Sequence, residues 1–271
     1  MILVEIFLFV FGLTWGSFLN VLIFRYNPNQ KFDFLKIIFG RSRCPYCKKK
    51  LLKRDLIPIL SFLLLKGKCR FCQRRISFIY PSVEFICGLF TPLVFVKTYP
   101  NFISFLLWFL IFSTLTVLSF VDLKFLCVPD QLLNFFFLLS LILVFFQNPS
   151  SHYFWNILPQ FKIKILNHFL GAIIFGLPLW VFSRKTKEKL LGFGDVKAIT
   201  ASGFLFGWPK AILVFNLSFL LGGIGALISM LFFKKNLHSK LPFLPFLALG
   251  IFLTFFLENQ ILNLYLNLFE I

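Results

Sequence analysis

Residues 102–122 read FISFLLWFLIFSTLTVLSFVD and carry no charge until the aspartate that closes the run, Asp122. A run of about 20 apolar residues is long enough to cross the hydrocarbon core of a bilayer as a helix. A carboxylate at membrane depth costs about 2.5–3.5 kcal/mol on insertion scales, so an aspartate at the edge of a span indicates a function. Asp195 opens another apolar run, directly after Gly192-Phe193-Gly194. The two aspartates predict one shared site.

The composition extends this interpretation to the whole chain. Of the 271 residues, 59% are hydrophobic and 14% are charged, which is outside the range of soluble domains. The first 24 residues lack a basic start and carry Glu5, so we interpret them as a retained helix and not as a secretory signal. Apolar runs predict eight transmembrane helices, near residues 3–24, 82–98, 102–121, 132–147, 165–182, 194–208, 211–232 and 242–258.

The sequence therefore predicts an all-α polytopic membrane protein. We expect three parts: a first transmembrane helix over residues 1–24, a cytoplasmic basic loop domain over 25–80, and a transmembrane domain over 81–271. The orientation follows from the distribution of Lys and Arg, because cytoplasmic loops retain positive charge. With the N-terminus outside, all but four of the 28 basic residues fall on the cytoplasmic side. The exceptions are Lys97, Lys162, Lys164 and Lys210.

Both aspartates then lie at the cytoplasmic ends of their helices. The third predicted helix runs inward and ends at Asp122, whereas the sixth runs outward and begins at Asp195, so the two carboxylates can meet near one membrane face. Two carboxylates in a partly desolvated site cannot easily both ionise, which leaves one acid and one base. Such a pair can polarise a scissile carbonyl and activate water, as aspartic proteases do. Because the pair titrates as a unit, the proton is not assigned to either aspartate.

The basic loop accounts for most of the net charge of +18, since residues 25–80 contain only two acids, Asp33 and Asp55. Each basic residue beside an anionic leaflet contributes about 1 kcal/mol of favourable binding free energy to the membrane surface. No aromatic stacking pattern accompanies these charges, so we expect contact with membrane lipids and no nucleic-acid binding.

Four cysteines within this loop form two C-x2-C pairs, Cys44 with Cys47 and Cys69 with Cys72. Each pair can present two sulfurs to one ion, so the spacing predicts a tetrahedral Zn²⁺ site with a structural role. A redox pair is the alternative interpretation. A cytoplasmic location argues against stable disulfides, and a redox motif would not need a duplicate. Cys87 and Cys127 read as small hydrophobic residues.

In its ordered motifs, the chain resembles the type IV prepilin peptidases, which are membrane aspartic proteases with a G-x-G-D motif. The motifs are Gly16-Ser17-Phe18-Leu19-Asn20-Val21 with Arg25, Arg41-Ser42-Arg43-Cys44-Pro45-Tyr46-Cys47, Ile57-Pro58, the second cysteine pair, Tyr80-Pro81 with Glu84, both aspartate motifs, and Pro242-Phe243-Leu244-Pro245-Phe246. They cover nearly the whole chain.

The resemblance implies that Asp122 and Asp195 are the catalytic pair and that the four loop cysteines bind zinc. It implies that type IV prepilins and type II secretion pseudopilins are cut after a glycine that ends a short basic leader, at the cytoplasmic face of the bacterial inner membrane. Many members also methylate the new N-terminus with S-adenosylmethionine, and the zinc-bearing loop is similar to that of these bifunctional enzymes. The residues that would bind the methyl donor, and the oligomeric state, are not predicted.

Three positions depart from the family pattern, since the family often has glycine where this chain has Lys48, Gln73 and Leu244. We expect the first two to affect the turns after the cysteine pairs. We expect Leu244 to affect the packing of the last helix and not the aspartates.

Other candidate residues have structural interpretations. Gly12 and Gly16 have the G-x-x-x-G spacing of close helix packing, and Pro129 ends the stretch after Asp122. Asp130 reads as a helix N-cap more readily than as a catalytic acid, and Lys197 either tunes the local charge or anchors the helix at the membrane interface. Glu84, a third acid within a span, receives no assigned role.

The three histidines, His152, His168 and His238, have no partner at ligand spacing and are interpreted as surface residues. A rival class is a transporter or scaffold in which the two aspartates relay protons or bind an ion.

Overall fold

The computed structural model describes residues 2–28, 40–146, 154–188, 191–233 and 241–268. Within these ranges, side chains are described except at 154–164, 258–259 and 261–268. His152, His238 and Asp33 lie outside the described residues.

Every predicted apolar run lies in a helix. The long helices are α1 (Ile2–Arg25), α3 (Ile79–Thr98), α4 (Phe102–Phe125), α5 (Asp130–Phe146), α6 (Phe154–Lys185), α7 (Phe193–Phe206), α8 (Ala211–Phe233) and α9 (Leu244–Leu268), and the loop after α1 adds the short α2 (Leu60–Leu64). The all-α architecture predicted from composition is therefore confirmed. Helix α6 begins at Phe154, about three turns before the predicted run at residue 165. The predicted run started later because the first residues of the helix are more polar than a span requires.

Among the described residues, five helical segments are long and apolar enough to cross a membrane. They are α1, α3, α4, the part of α6 over Ile165–Lys185, and α8 over Ala211–Phe232. Helix α5 and the Leu244–Leu257 part of α9 are apolar but shorter, and α7 has 14 residues. The chain is a multi-pass membrane protein, and the number of eight spans stays a prediction.

The chain divides into two compact units, residues 1–109 and 110–271, with the boundary inside α4. The three-part division expected from the sequence stays a prediction.

In the first unit, α1 packs against α3. A side-chain carbon at Gly16 would lie 2.7 Å from the Cα atom of Glu84, and one at Gly12 would lie 2.6 Å from the hydroxyl oxygen of Thr91. Near the end of α1, the amide Nδ2 of Asn20 donates to the carbonyl oxygen of Tyr80 at 3.0 Å. The helices therefore run antiparallel, and the predicted packing role of Gly12 and Gly16 is confirmed.

In the second unit, α7 is the central helix, because it contacts α5, α6, α8 and α9. Nine of its 14 residues are buried. Backbones of α6 and α7 approach closely at Gly171 and Gly203, where a side-chain carbon on Gly203 would lie 2.6 Å from the carbonyl oxygen of Gly171. The start of α7, which carries Asp195, is thus fixed by the packing of the rest of the helix.

The interpretation of His168 as a surface residue is wrong. Its side chain is 8% exposed, and Nδ1 donates to the carbonyl oxygen of Phe204 at 2.6 Å. The ring links α6 to the end of α7, so the contact is structural. A buried polar side chain requires such a partner.

Candidate active site and metal centre

The two C-x2-C pairs occupy two turns of the same construction. In the first, the N–H of Cys44 donates to the carbonyl oxygen of Lys49 at 3.0 Å and the N–H of Lys48 donates to that of Cys44 at 3.0 Å. The equivalent bonds of the second turn run from Cys69 to Arg74 and from Gln73 to Cys69, both at 2.9 Å. Each turn is closed by an antiparallel bridge, Arg43 with Lys50 and Lys68 with Arg75. We call residues 42–51 and 67–76 the two knuckles.

The residue after each cysteine pair adopts a left-handed backbone. The φ angle is 57° at Lys48 and 58° at Gln73, a conformation that glycine adopts most easily. The departures from the family pattern therefore fall where the backbone would favour glycine, but both turns retain their hydrogen bonds. The knuckles tolerate a side chain at this position.

The knuckles bring the four thiols together. The four Sγ atoms all lie within 4.8 Å of one another; they belong to Cys44, Cys47, Cys69 and Cys72. The Sγ atoms of Cys44 and Cys72 are 3.8 Å apart. Tetrahedral coordination at a Zn–S distance of 2.3 Å places sulfurs about 3.8 Å apart. That separation is much longer than a disulfide bond of about 2.05 Å. The cluster could therefore hold a metal ion such as zinc.

The surroundings of Cys44 favour the thiolate form of this one cysteine. Burial raises the pKa of Cys44, but N–H groups of Cys47 and Tyr46 donate to its sulfur and bring the pKa down to about 7. Metal binding requires thiolates. Cys44 therefore provides a thiolate close to neutral pH.

Cation–π contacts also join the two knuckles. The ammonium of Lys49 in the first knuckle lies 5.2 Å from the ring centre of Phe71 in the second, and the guanidinium of Arg74 lies 5.1 Å from that of Tyr46. Lys49 corresponds to Arg74, and Tyr46 to Phe71, because the members of each pair are 25 residues apart. The cysteines of the two knuckles have the same separation. The cysteine cluster is thus held by reciprocal cation–π contacts as well as by its backbone turns.

Asp122 lies in the last turns of α4 and is 5% exposed. One carboxylate oxygen accepts the N–H of Leu244 at 3.2 Å, and the N–H of Phe243 also donates to this side chain. Both donors belong to the start of α9, where the first N–H groups of a helix have no partner within it. Position 244 thus contacts Asp122 through its backbone N–H, which leucine and glycine share. The expectation that leucine at this position leaves the aspartates unaffected stays a prediction.

Asp195 lies in the first turn of α7 and is half-buried. The N–H of Gly192 donates to its carboxylate, and the charge of Asp122 acts on the same group. The two aspartates of the sequence prediction are therefore brought into one electrostatic site within the second unit.

The glycine motif before Asp195 packs against the segment that follows Asp122. A side-chain carbon at Gly194 would lie 2.8 Å from the Cβ atom of Val128. Buried Pro129 follows, and its carbonyl oxygen accepts the N–H groups of Leu132 and Leu133 at 3.1 Å as α5 begins. The absence of a side chain at Gly194 thus allows the two aspartate segments to touch.

A second contact joins the same segments. Nζ of Lys197 lies 2.6 Å from a carboxylate oxygen of Asp130. The partner of Asp130 is therefore a lysine one half-turn beyond Asp195, a pairing that the sequence analysis did not identify. No sequence signal links residues 67 positions apart, although both belong to the aspartate motifs.

Glu84 has a separate role in the first unit. Its carboxylate accepts the N–H of Ile59 at 2.8 Å, so it ties the loop between the knuckles to α3.

Comparisons with known proteins identify the family of the chain. Residues 10–98 match the family model described as the bacterial peptidase A24 N-terminal domain, and residues 109–227 match the type IV leader peptidase family. No solved structure matches the chain.

Among curated proteins, the chain is 32% identical to the prepilin leader peptidase/N-methyltransferase of Bacillus subtilis, over 96% of this chain and 97% of the relative. It is 30% identical to the enzyme of the same name from Aeromonas hydrophila, over 96% and 93%. A type 4 prepilin-like proteins leader peptide-processing enzyme of Escherichia coli is 29% identical, over 91% of each chain. With this similarity along nearly its full length, the chain belongs to the type IV leader peptidase family.

Proposed function

We propose that this protein is a membrane aspartic endopeptidase that removes the leader peptide from type IV prepilins and type II secretion pseudopilins. The observation that carries the proposal is the juxtaposition of Asp122 and Asp195 in one site. The names of the relatives support the substrate class, because those proteins are described as prepilin leader peptidases. We place the cut after the glycine that ends a short basic leader.

The two carboxylates share one proton and act on the peptide together. The protonated carboxyl donates to the oxygen of the scissile carbonyl, while the ionised carboxylate takes a proton from a water molecule. The resulting hydroxide attacks the carbonyl carbon and forms a tetrahedral intermediate. When the C–N bond breaks, the leaving nitrogen takes a proton from the carboxyl group that water had protonated. No covalent enzyme intermediate forms.

The contacts around the pair position it for this reaction. The N–H groups of Phe243 and Leu244 orient the Asp122 carboxylate, and the N–H of Gly192 orients the Asp195 carboxylate. The Lys197–Asp130 ion pair and the Val128–Gly194 contact hold the start of α7 against the segment after Asp122. Catalysis depends on such positioning, since misplacement by about 1 Å can cost about a hundredfold in rate.

The cysteine cluster binds structural zinc in this proposal. The protein fills all four ligand positions, so no position is left open for water or substrate. Zinc therefore stabilises the knuckles and takes no part in peptide cleavage.

The proposal includes N-methylation of the new N-terminus, which the names of the relatives support. S-adenosylmethionine would supply the methyl group, and the amine released by cleavage would accept it. This chain's own contribution to that step is the production of the free amine.

The proposed location is the bacterial inner membrane, with both aspartates at the cytoplasmic face. The distribution of Lys and Arg supports this orientation. Membrane lipids and the precursor proteins are the proposed partners.

Cleavage of a prepilin by membranes that contain the protein tests the proposal. We expect Asp122→Asn and Asp195→Asn each to abolish leader removal at matched expression, because asparagine cannot exchange the proton. Glu188→Gln is the matched control, since it neutralises an exposed acid of the second unit that lies outside the site, and it should retain most activity. Near-normal cleavage by either dyad variant would refute the dyad. Absence of cleavage in the unmodified protein as well would favour the proton-relay alternative.

Methylation is tested separately by mass spectrometry of the mature pilin. We expect one added methyl group on the first residue when S-adenosylmethionine is present. An unmodified amine on fully cleaved pilin from the native host would remove methylation from the proposal and leave the peptidase intact.

A further inference from the structure

The loop between the two knuckles exposes a row of large apolar side chains. Ile57, Leu60, Leu63 and Leu64 are 46%, 50%, 64% and 74% exposed. We call residues 56–65, which include α2, the interfacial segment. A soluble loop rarely exposes so many neighbouring apolar groups, and such a patch indicates a binding surface.

A groove of about 450 Å³ lies between this segment and the start of α3. Its walls are almost entirely apolar and include Ile59, Phe62, Leu63, Phe78, Phe85 and Ile86. The last three are exposed residues at or just before the first turns of α3.

The groove is continuous with the outer face of a membrane helix. Phe85, Ile86, Leu89 and Leu93 form an exposed stripe along α3, which is long and apolar enough to span the bilayer. In such a helix an exposed apolar stripe faces lipid tails. The groove therefore opens on the lipid-facing side of α3, at its end nearest the knuckles.

A partly buried hydrogen bond fixes the level of the segment along α3. The N–H of Ile59 donates to the Glu84 carboxylate at 2.8 Å, five residues into the helix and so about 7.5 Å from its start. Interfacial helices bury their apolar faces about 5–10 Å into the boundary between headgroups and acyl chains. Ile59 has a φ of 58°, which is unfavourable for a β-branched residue, so the bend that brings its N–H to Glu84 is held against a local preference.

The charges flanking the segment complete an amphipathic pattern. Lys53 and Arg54 precede it and Lys66 and Lys68 follow it, all exposed. Basic residues beside an apolar segment attract anionic lipid headgroups, and their long side chains reach the headgroup level from below.

We propose that the interfacial segment lies in the bilayer leaflet next to the knuckles and that the groove beside α3 holds a phospholipid acyl chain. The segment would then anchor the cysteine cluster to the membrane surface at a second point, in addition to the helices that flank the loop. This inference does not depend on the proposed peptidase activity.

Site-specific photocrosslinking of the full chain tests the inference. The photoreactive residue p-benzoylphenylalanine replaces Leu63, an exposed residue that lines the groove, in one variant and Tyr46, an exposed aromatic residue of the first knuckle, in the control. Both positions are exposed, so the replacements leave the core intact. The variants are irradiated in vesicles of phosphatidylethanolamine and phosphatidylglycerol, with and without a prepilin, and analysed by mass spectrometry.

We expect a phospholipid adduct at position 63 and none at position 46, whether or not the prepilin is present. Absence of a lipid adduct at position 63, or equal adducts at both positions, would overturn the inference. Replacement of the lipid adduct at position 63 by a prepilin adduct would also overturn it, because the groove would then bind the substrate.

Discussion

Leu244 contacts the proposed active site through its backbone and the core through its side chain. The side chain is 1% exposed, while the N–H donates to the Asp122 carboxylate. These two contributions can be separated, because glycine retains the N–H and proline removes it. Proline also fits the first turn of a helix, where its missing N–H breaks no bond within the helix.

We expect Leu244→Pro to lower the rate of prepilin cleavage by about tenfold or more relative to Leu244→Gly. A hydrogen bond to a charged group contributes about 1.5–3 kcal/mol, which corresponds to this range of rates. Both variants lose the buried side chain, so glycine is the matched control. Initial rates of leader removal in membranes, normalised to inserted protein, provide the measurement. Equal rates in the two variants would show that the N–H of residue 244 does not support Asp122.

Single residues differed in how well the sequence could identify them. The cluster of Cys44, Cys47, Cys69 and Cys72 was identified because thiols at C-x2-C spacing are rare outside metal sites. The N–H groups at Asp122 could not be identified, because every residue except proline has one and only the fold decides where it points. The burial of His168 was missed for a similar reason, since its partner is a backbone carbonyl in another helix.

At the scale of helices, the site depends on contact between the segment that follows α4 and the start of α7. Gly194 and Val128 are the closest point of this contact. A methyl group at position 194 would overlap the Val128 side chain and displace one of the two segments. Overpacking of this kind costs about 1–3 kcal/mol in a protein core.

We expect Gly194→Ala to lower cleavage by about tenfold or more, because it shifts Asp195 relative to Asp122. Adding Val128→Gly should restore much of the lost activity, since it removes the side chain that the new methyl group meets. Val128→Gly alone is the control and should have a smaller effect than Gly194→Ala. Cleavage rates of the three variants test this, and a double variant no more active than Gly194→Ala would argue against steric overlap as the cause.

The helices themselves were largely predictable, and their partners were not. Runs such as 102–121 define spans because lipid requires a continuous apolar surface. Which helices contact one another depends on small residues such as Gly171 and Gly203, whose spacing across two helices forms no local pattern. The central place of α7 therefore emerged only from the structure, although the sequence had placed Asp195 at its start.

At the scale of the whole molecule, the first unit carries the cysteine cluster and the second carries the paired aspartates. The knuckles are two copies of one turn that share a single set of four sulfurs. Neither copy has enough ligands for a tetrahedral ion by itself. Loss of one cysteine from either knuckle should therefore remove the metal from both.

We expect about one zinc ion per chain in the purified protein, lost in both Cys44→Ser and Cys69→Ser. Cys87→Ser and Cys127→Ser are the controls and should retain zinc, because these two cysteines lie outside the cluster. Elemental analysis of protein purified without added metal gives the ratio. Zinc retained by Cys69→Ser, or absent from the unmodified protein, would contradict the shared site.

The contact between Asp122 and the start of α9 also sets an order of events during synthesis. The chain emerges from the ribosome from its N-terminus, so Asp122 and Asp195 both enter the membrane before residues 243 and 244 have been made. Until then the Asp122 carboxylate lacks the backbone donors that orient it. We therefore expect the proposed site to be complete only after α9 has been inserted, which makes insertion of α9 a checkpoint in the biogenesis of the protein.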